Sequence, residues 1–328
     1  MVNNQQVNRP SLQLDRVLVG ALVVAAFLAG AGALAVGQAT GSTAAWWPAA
    51  GIGVVAVLLS PRRHWPVVLG FLVLAYALAN FTADRSILVS SLLGLADGAE
   101  TIVVAILVRR YVGRRIVDVA DVWRLFGIAT VGALVAATGI SLVYDRFLDT
   151  SFWSTLGLTL PSHAASVMLL SPVALLAIRR PQPNTVRTIE LTAQACMLLA
   201  ATMVTFGAAH LTLGFAPLPV IVWAAVRFSK WVVVIEQILY ATAVTLLTQF
   251  GWGPFSPLVE ADAGLSTQHA QLYLICLVLI GLPLVTAMDQ RDKALVRLSA
   301  SERVFRRTFT ESRVPVALVE LHEGQVRF

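Results

Sequence analysis

The sequence predicts an all-α fold: a polytopic helical membrane bundle of about eight to ten transmembrane segments, with the N-terminus and C-terminus cytoplasmic. Three observations carry this expectation. Of 328 residues, 57% are hydrophobic and only 13% charged, with a mean hydropathy of +0.77, whereas soluble domains carry about 25% charged residues. The apolar residues come in repeated blocks near the roughly 20 residues that cross a bilayer. The basic residues fall between those blocks, so the net charge of +6 and the pI near 9.9 reflect membrane topology. Membrane lipid is the expected surrounding, and no nucleic-acid partner is expected.

Residues 1–16 read as a polar tail in which Arg9 and Arg16 precede the first span, Val17 to Gly37. That run exceeds the 7–15 residues or so of a signal-peptide core, so it reads as an anchor. The second segment, Trp46 to Ser60, opens with two Trp residues, whose rings prefer the lipid–water boundary. Pro48 suits a first helical position because its missing N–H has no partner to lose there. Gly51 and Gly53 leave one side bare for a neighbouring helix. About 13 apolar residues after the proline are short for a full crossing, and Ser60-Pro61-Arg62-Arg63-His64 ends the run. Such a segment suits the inside of a bundle better than its rim.

The third span runs from Trp65 to Asn80, the fourth from Ser86 to Val108, and the fifth from Val122 to Tyr144. The sixth covers Phe152 to Ile178 and the seventh Ile189 to Ala209. A short eighth, Phe215 to Phe228, contains Pro217 and Pro219; the ninth is Trp231 to Phe250 and the tenth His269 to Met288. Cys196 and Cys276 fall inside apolar runs, where they read as small hydrophobes rather than a disulfide.

Charge tests the count. With the N-terminus inside and every segment crossing, 17 basic residues face the cytoplasm. They are Arg9, Arg16, Arg62, Arg63, Arg109, Arg110, Arg114, Arg115, Arg124, Arg179, Arg180, Arg187, Arg227, Lys230, Arg291, Lys293 and Arg297. Only Arg85 and Arg146 lie outside, among Asp84, Asp145, Asp149, Glu260 and Asp262. Ten crossings therefore fit best. Eight is the alternative if both short segments are re-entrant.

No catalytic constellation appears: no phosphate-binding loop, dinucleotide fingerprint, HExxH or GxSxG. No catalytic residue, metal site or cofactor is expected, and the chain by itself does not read as an enzyme. The five histidines are scattered; a heme would need facing histidines, for which His163 and His210 could serve, a weaker reading.

Ionisable groups inside spans are costly and mark functional sites by default. Asp97 and Glu100 are three apart and share a face of the fourth span. Asp97 and His163 each lie eleven residues below the outer ends of their spans, at a depth of about 16 Å. An Asp97–His163 pair is expected from that match. Glu100 lies about 21 Å down, and Glu236, counted up from Trp231, reaches a similar level. Trp47, Pro48, Gly51, Asp97, Glu100, His163 and Glu236 are thus candidates for a polar pocket taking an unknown small ligand or a proton, with the Trp47–Gly53 stretch as its outer wall. The competing reading is that these groups only hold helices together.

Trp47-Pro48-Ala49-Ala50-Gly51-Ile52, then Arg63-His64-Trp65-Pro66 and Leu69-Gly70, resemble the opening motif of the bacterial membrane-associated sensor domain, MASE, of the first type. The resemblance extends from about residue 17 to about residue 290, and residues 17–288 are assigned to that domain. Ser162 to Pro172 resembles the family's pattern of an acidic residue, a glycine three further on and then a proline. Here His163 stands where the family usually has Asp, Ser166 replaces the glycine and Pro172 is retained. Leu218-Pro219, Trp223 and Arg227-Phe228 resemble a later LP…W…RF motif. The resemblance implies a sensory input module of the bacterial inner or plasma membrane. It would feed a diguanylate cyclase in cyclic di-GMP signalling, a phosphodiesterase or a histidine kinase, none of which is present in this chain.

Residues 289–309 are charged and helix-favouring, with Leu284, Met288, Leu295, Leu298, Phe305 and Phe309 on one stripe. This reads as a cytoplasmic signalling helix that joins two copies through Leu295, Leu298 and Phe305, making the protein a homodimer; a solvated helical extension is the plainer alternative. Ser301 to Phe309, followed by Pro315 to Glu320 and Gly324, resembles the entry helix and first strand of a PAS domain, so residues 310–328 read as the start of a truncated one. The expected function is an integral-membrane sensory input module that passes a signal through a cytoplasmic helix to a PAS-linked output module. A secondary transporter of a small solute is the alternative, because short proline-interrupted segments point to transport sites. The second and eighth segments, however, run in the same direction, unlike the broken helices of an inverted repeat.

Overall fold

The structure, a computed structural model, describes residues 12–40, 46–176, 185–207, 214–256, 263–311, 320–322 and 325–327. In chain order the helices are α1 (Leu12–Thr40), α2 (Pro48–Leu59), α3 (Trp65–Phe81), α4 (Ile87–Tyr111), α5 (Val119–Phe147) and α6 (Phe152–Leu170). They are followed by α7 (Pro172–Leu175), α8 (Thr185–Gly207), α9 (Leu218–Arg227), α10 (Lys230–Gln249) and α11 (Ala263–Glu311). A 3-10 turn, Arg62–His64, leads into α3. Among the described residues, eight helical segments are long and apolar enough to cross a membrane, while α2 and α9 have only 12 and 10 residues. The chain is a polytopic helical bundle and a multi-pass membrane protein. It divides into two compact units, Met1–Thr286 and Ala287–Phe328.

Local sequence explains the helix ends. The Ser86 side chain caps α4 by accepting from the Val89 N–H at 3.3 Å. Asp118 and Asp121 form a reciprocal capping box at the start of α5, which satisfies two backbone donors at once. The expected sixth span is broken: α6 ends at Leu170 and a separate turn, α7, starts at Pro172. Pro172 has no N–H to bond back to Met168, so the helix cannot continue regularly. α1 begins at Leu12, inside the stretch expected to be a polar tail; residues 1–11, His210 and residues 312–319 of the PAS-like stretch lie outside the described residues.

The short segment α2 is the centre of the first unit. It packs against α1, α3, α4 and α6, and Ala49, Ala50, Gly51 and every residue from Gly53 to Leu58 are buried. A Cβ at Gly51 would run into the Ser166 carbonyl and Leu170 of α6, and one at Gly53 into the Tyr76 hydroxyl. Bare backbone on this helix is thus what lets two neighbours approach. Trp46 and Trp47 face protein rather than lipid or water: they are 5% and 7% exposed. The Trp47 ring lies beside Gly30 of α1 and over the ring of His163, so it fills a gap between helices. Large apolar side chains such as Phe71, Leu74 and Leu78 of α3 point outward, as a lipid-facing surface requires.

In the second unit, the helical residues of α11 carry ion pairs Asp289–Lys293 at 2.7 Å and Glu302–Arg306 at 2.9 Å. Both place the acid four residues before the base, the favourable order on a helix. Leu295, Leu298 and Phe305 are exposed. A small antiparallel hairpin follows, pairing β1 (Glu320–His322) with β2 (Gln325–Arg327) and setting His322 opposite Gln325.

Candidate ligand-binding site

Two helices bring three ionisable side chains together. On α4, Leu93, Asp97, Glu100, Thr101 and Val104 recur at three- and four-residue spacing along one buried stripe. On α6, Ser162, His163 and Ser166 face the same interior. His163 Nδ1 is 2.6 Å from Glu100 Oε2, and His163 Nε2 is 3.9 Å from Asp97 Oδ1. All three are buried, at 1% exposure for Asp97, 0% for Glu100 and 3% for His163. The expected partner of His163 was Asp97; the close one is Glu100, a turn deeper. Counting rise along each helix fixes neither the inclination between helices nor the reach of the side chains.

Hydrogen bonds tie both helices to α2. The Gly51 N–H donates to Ser166 Oγ at 3.0 Å. On the other side the Tyr76 hydroxyl lies 3.1 Å from Thr101 Oγ1 and donates to the Ala49 carbonyl at 3.4 Å, while Thr101 donates to the Asp97 carbonyl at 2.9 Å. The serine that replaces a glycine in the resembled motif therefore accepts a hydrogen bond from the backbone of the central helix.

A cavity of about 450 Å³ opens against the cluster. Its walls include Trp47, Asn80, Arg85, Asp97, Tyr144, Ser162 and His163. Arg85 donates to Asn80 Oδ1 and, at 2.5 Å, to the Tyr144 hydroxyl, with its guanidinium carbon 5.4 Å from the Tyr144 ring centre. Trp47 stacks on His163 at 6.4 Å between ring centres. Among the described residues, the buried Asp97 Oδ1, Trp47 Nε1 and Thr155 Oγ1 of this wall have no hydrogen-bond partner in good geometry, and Glu100 Oε1 behind it has none either. Buried polar atoms are nearly always paired, so this wall is prepared for something that enters.

The MASE1 family model matches residues 15–292. The chain belongs to the MASE1 family. No curated protein and no solved structure matches it. MASE1 is a membrane-associated sensory domain, and the cavity lies within the matched residues.

Within this MASE1 domain the other candidates occupy distinct places. Pro48 starts α2, and Gly51 seats that helix against α6; neither is part of the cavity wall. Of the stretch expected to form an outer wall, only Trp47 lines the cavity. Glu236 is elsewhere: on α10 it accepts from Gln194 Nε2 of α8 at 3.0 Å, beside a mostly apolar groove of about 650 Å³. Sequence reasoning missed Arg85, Asn80, Tyr144 and Gln194 as site-forming residues. Arg85 had a signal, as one of only two basic residues that the charge count expects on the outer side. Gln194 had one too, a primary amide in the middle of an apolar run.

Proposed function

We propose that this MASE1 chain is the input module of a bacterial plasma-membrane signalling protein, and that the cavity beside Asp97 and His163 receives the signal. The observation that carries the reading is the row of buried, unpartnered polar atoms on that cavity's wall. Occupancy that satisfies those atoms pulls on α4 and α6, and both are hydrogen-bonded to α2. Such a set of packed helices moves as a unit rather than deforming continuously. The charged part of α11 passes the change, through a PAS domain, to an output module such as a diguanylate cyclase, a phosphodiesterase or a histidine kinase. The exposed Leu295, Leu298 and Phe305 support a homodimer at this helix, since they follow the spacing of a coiled-coil seam.

The test uses the full-length protein. His163→Leu should abolish the output response while membrane insertion and dimerisation stay intact. Normal signalling by that variant overturns the assignment of the cavity. Robust solute accumulation by the wild-type chain in proteoliposomes would replace the sensor with a secondary transporter.

A further inference from the structure

We infer that Asp97 and His163, with Glu100 bonded behind the imidazole, form a binding site for one divalent transition-metal ion of the zinc, manganese or iron(II) class, beside the cavity. The inference rests on the sensor reading only for the ion's role as a signal; binding itself stands on the donor set.

The geometry gathers three donor groups, of which His163 Nε2 and Asp97 Oδ1 face the ion while Glu100 Oε2 holds His163 Nδ1. One ligating atom from each residue lies within 4.8 Å of the other two, and all three residues are buried. The two carboxylates come from successive turns of α4 and the imidazole from α6, so no loop has to order for the site to exist. An imidazole with two carboxylates is the mixed nitrogen–oxygen set that borderline divalent ions prefer.

The second observation is the state of the donor atoms. Asp97 Oδ1 and Glu100 Oε1 are enclosed and meet no hydrogen-bond donor in good geometry, although the Trp47 indole lies against the Asp97 carboxyl. Enclosed carboxylate oxygens are normally hydrogen-bonded, ion-paired or coordinated. With the Nδ1–H of His163 donating to Glu100 Oε2, the Nε2 lone pair faces Asp97 Oδ1 across 3.9 Å. Two acceptors then face one another with no proton between them. Metal–ligand bonds of about 2.0–2.2 Å allow two ligands of one ion to stand up to about 4.3 Å apart, so the gap accommodates a shared ion. Glu100 bonded to the far nitrogen of a ligating histidine is the arrangement that orients and strengthens such ligands.

Charge is compatible with such an occupant. Two carboxylates and a protonated imidazole leave one negative charge among the three, with the Arg85 guanidinium as the further cation on the cavity wall. Two carboxylates, a neutral imidazole and a divalent cation sum to zero. The cavity gives the ion a route in and leaves room for water to complete its coordination.

The test is metal binding by the purified chain in detergent, stripped with chelator and titrated separately with Zn²⁺ and Co²⁺. The expected result is one ion per chain, with the visible Co²⁺ absorption of a low-coordinate nitrogen–oxygen site. Asp97→Asn and Glu100→Gln, which keep side-chain shape, should each weaken binding by about 10- to 100-fold, and His163→Ala should abolish it. His64→Ala and His269→Ala, at span ends, should leave it unchanged. Absence of stoichiometric binding by the wild type overturns the inference, as does binding that survives Asp97→Asn and Glu100→Gln. If His163→Ala fails to fold, the wild-type Co²⁺ spectrum decides: the weak absorption of a hexa-aqua-like ion overturns the site. Binding without any effect on output removes the ion's signalling role and keeps the site. Loss of output in His163→Leu without metal binding in the wild type does the reverse.

Discussion

Two carboxylates within membrane-spanning helices, Glu100 and Glu236, look alike in the sequence and differ in the structure, the first buried and the second half-buried. Glu100 is fully enclosed between α4 and α6, shares a histidine with Asp97 and keeps one oxygen without a partner. Glu236 lies between α8 and α10 and accepts from Gln194, whose amide also reaches the Val220 carbonyl. The first cluster sets two carboxylates against one imidazole, with Arg85 as the further cation on the cavity wall. The second is a single acid bonded to a neutral amide, beside an apolar groove. An acid thus becomes a site where several ionisable groups meet next to a polar cavity; where an amide satisfies it, the acid joins helices.

Substitutions put this contrast at risk. The largest effect is expected from His163→Leu, which leaves Asp97 and Glu100 without their cationic or metal-bound partner; the output response of the full-length protein should disappear. Gly51→Val tests the frame that holds the cluster. Its branched side chain meets the Ser166 carbonyl and Leu170, and overpacking of this kind costs about 1–3 kcal/mol. It should lower the thermal midpoint of the detergent-solubilised protein and weaken the response in proportion. An unchanged midpoint would mean that α2 does not clamp α6. The smallest effect is expected from Glu236→Gln, which preserves a hydrogen bond to Gln194: stability should change by less than about 1 kcal/mol, with the output response intact. Loss of response in Glu236→Gln would erase the distinction between the two acids and make the groove between α8 and α10 a second functional region.

Much of the fold was legible in the sequence for local reasons. Hydropathy marks each lipid-crossing block because every buried backbone group must be paired within its own helix. The interior place of α2 followed from its brevity, its first proline and its glycines, and those glycines do meet α6 and α3. The shared face of Asp97 and Glu100 followed from helical period alone. The break at Pro172 was equally present in the sequence, since proline removes a helix hydrogen bond, yet apolar composition on both sides concealed it.

Residue order alone was enough for a multi-pass helical sensor domain, the shared face of Asp97 and Glu100, and the presence of an acid–histidine set within the bundle. It took the packed helices to settle which acid His163 touches, that Trp47 covers its ring, that Arg85 and Tyr144 line the same cavity and that Glu236 belongs elsewhere. Period and hydropathy are properties of one helix at a time. The rotation and inclination of a helix against its neighbours come from all its contacts at once, such as the approach of α6 to Gly51 and the Tyr76 bridge between α2 and α4.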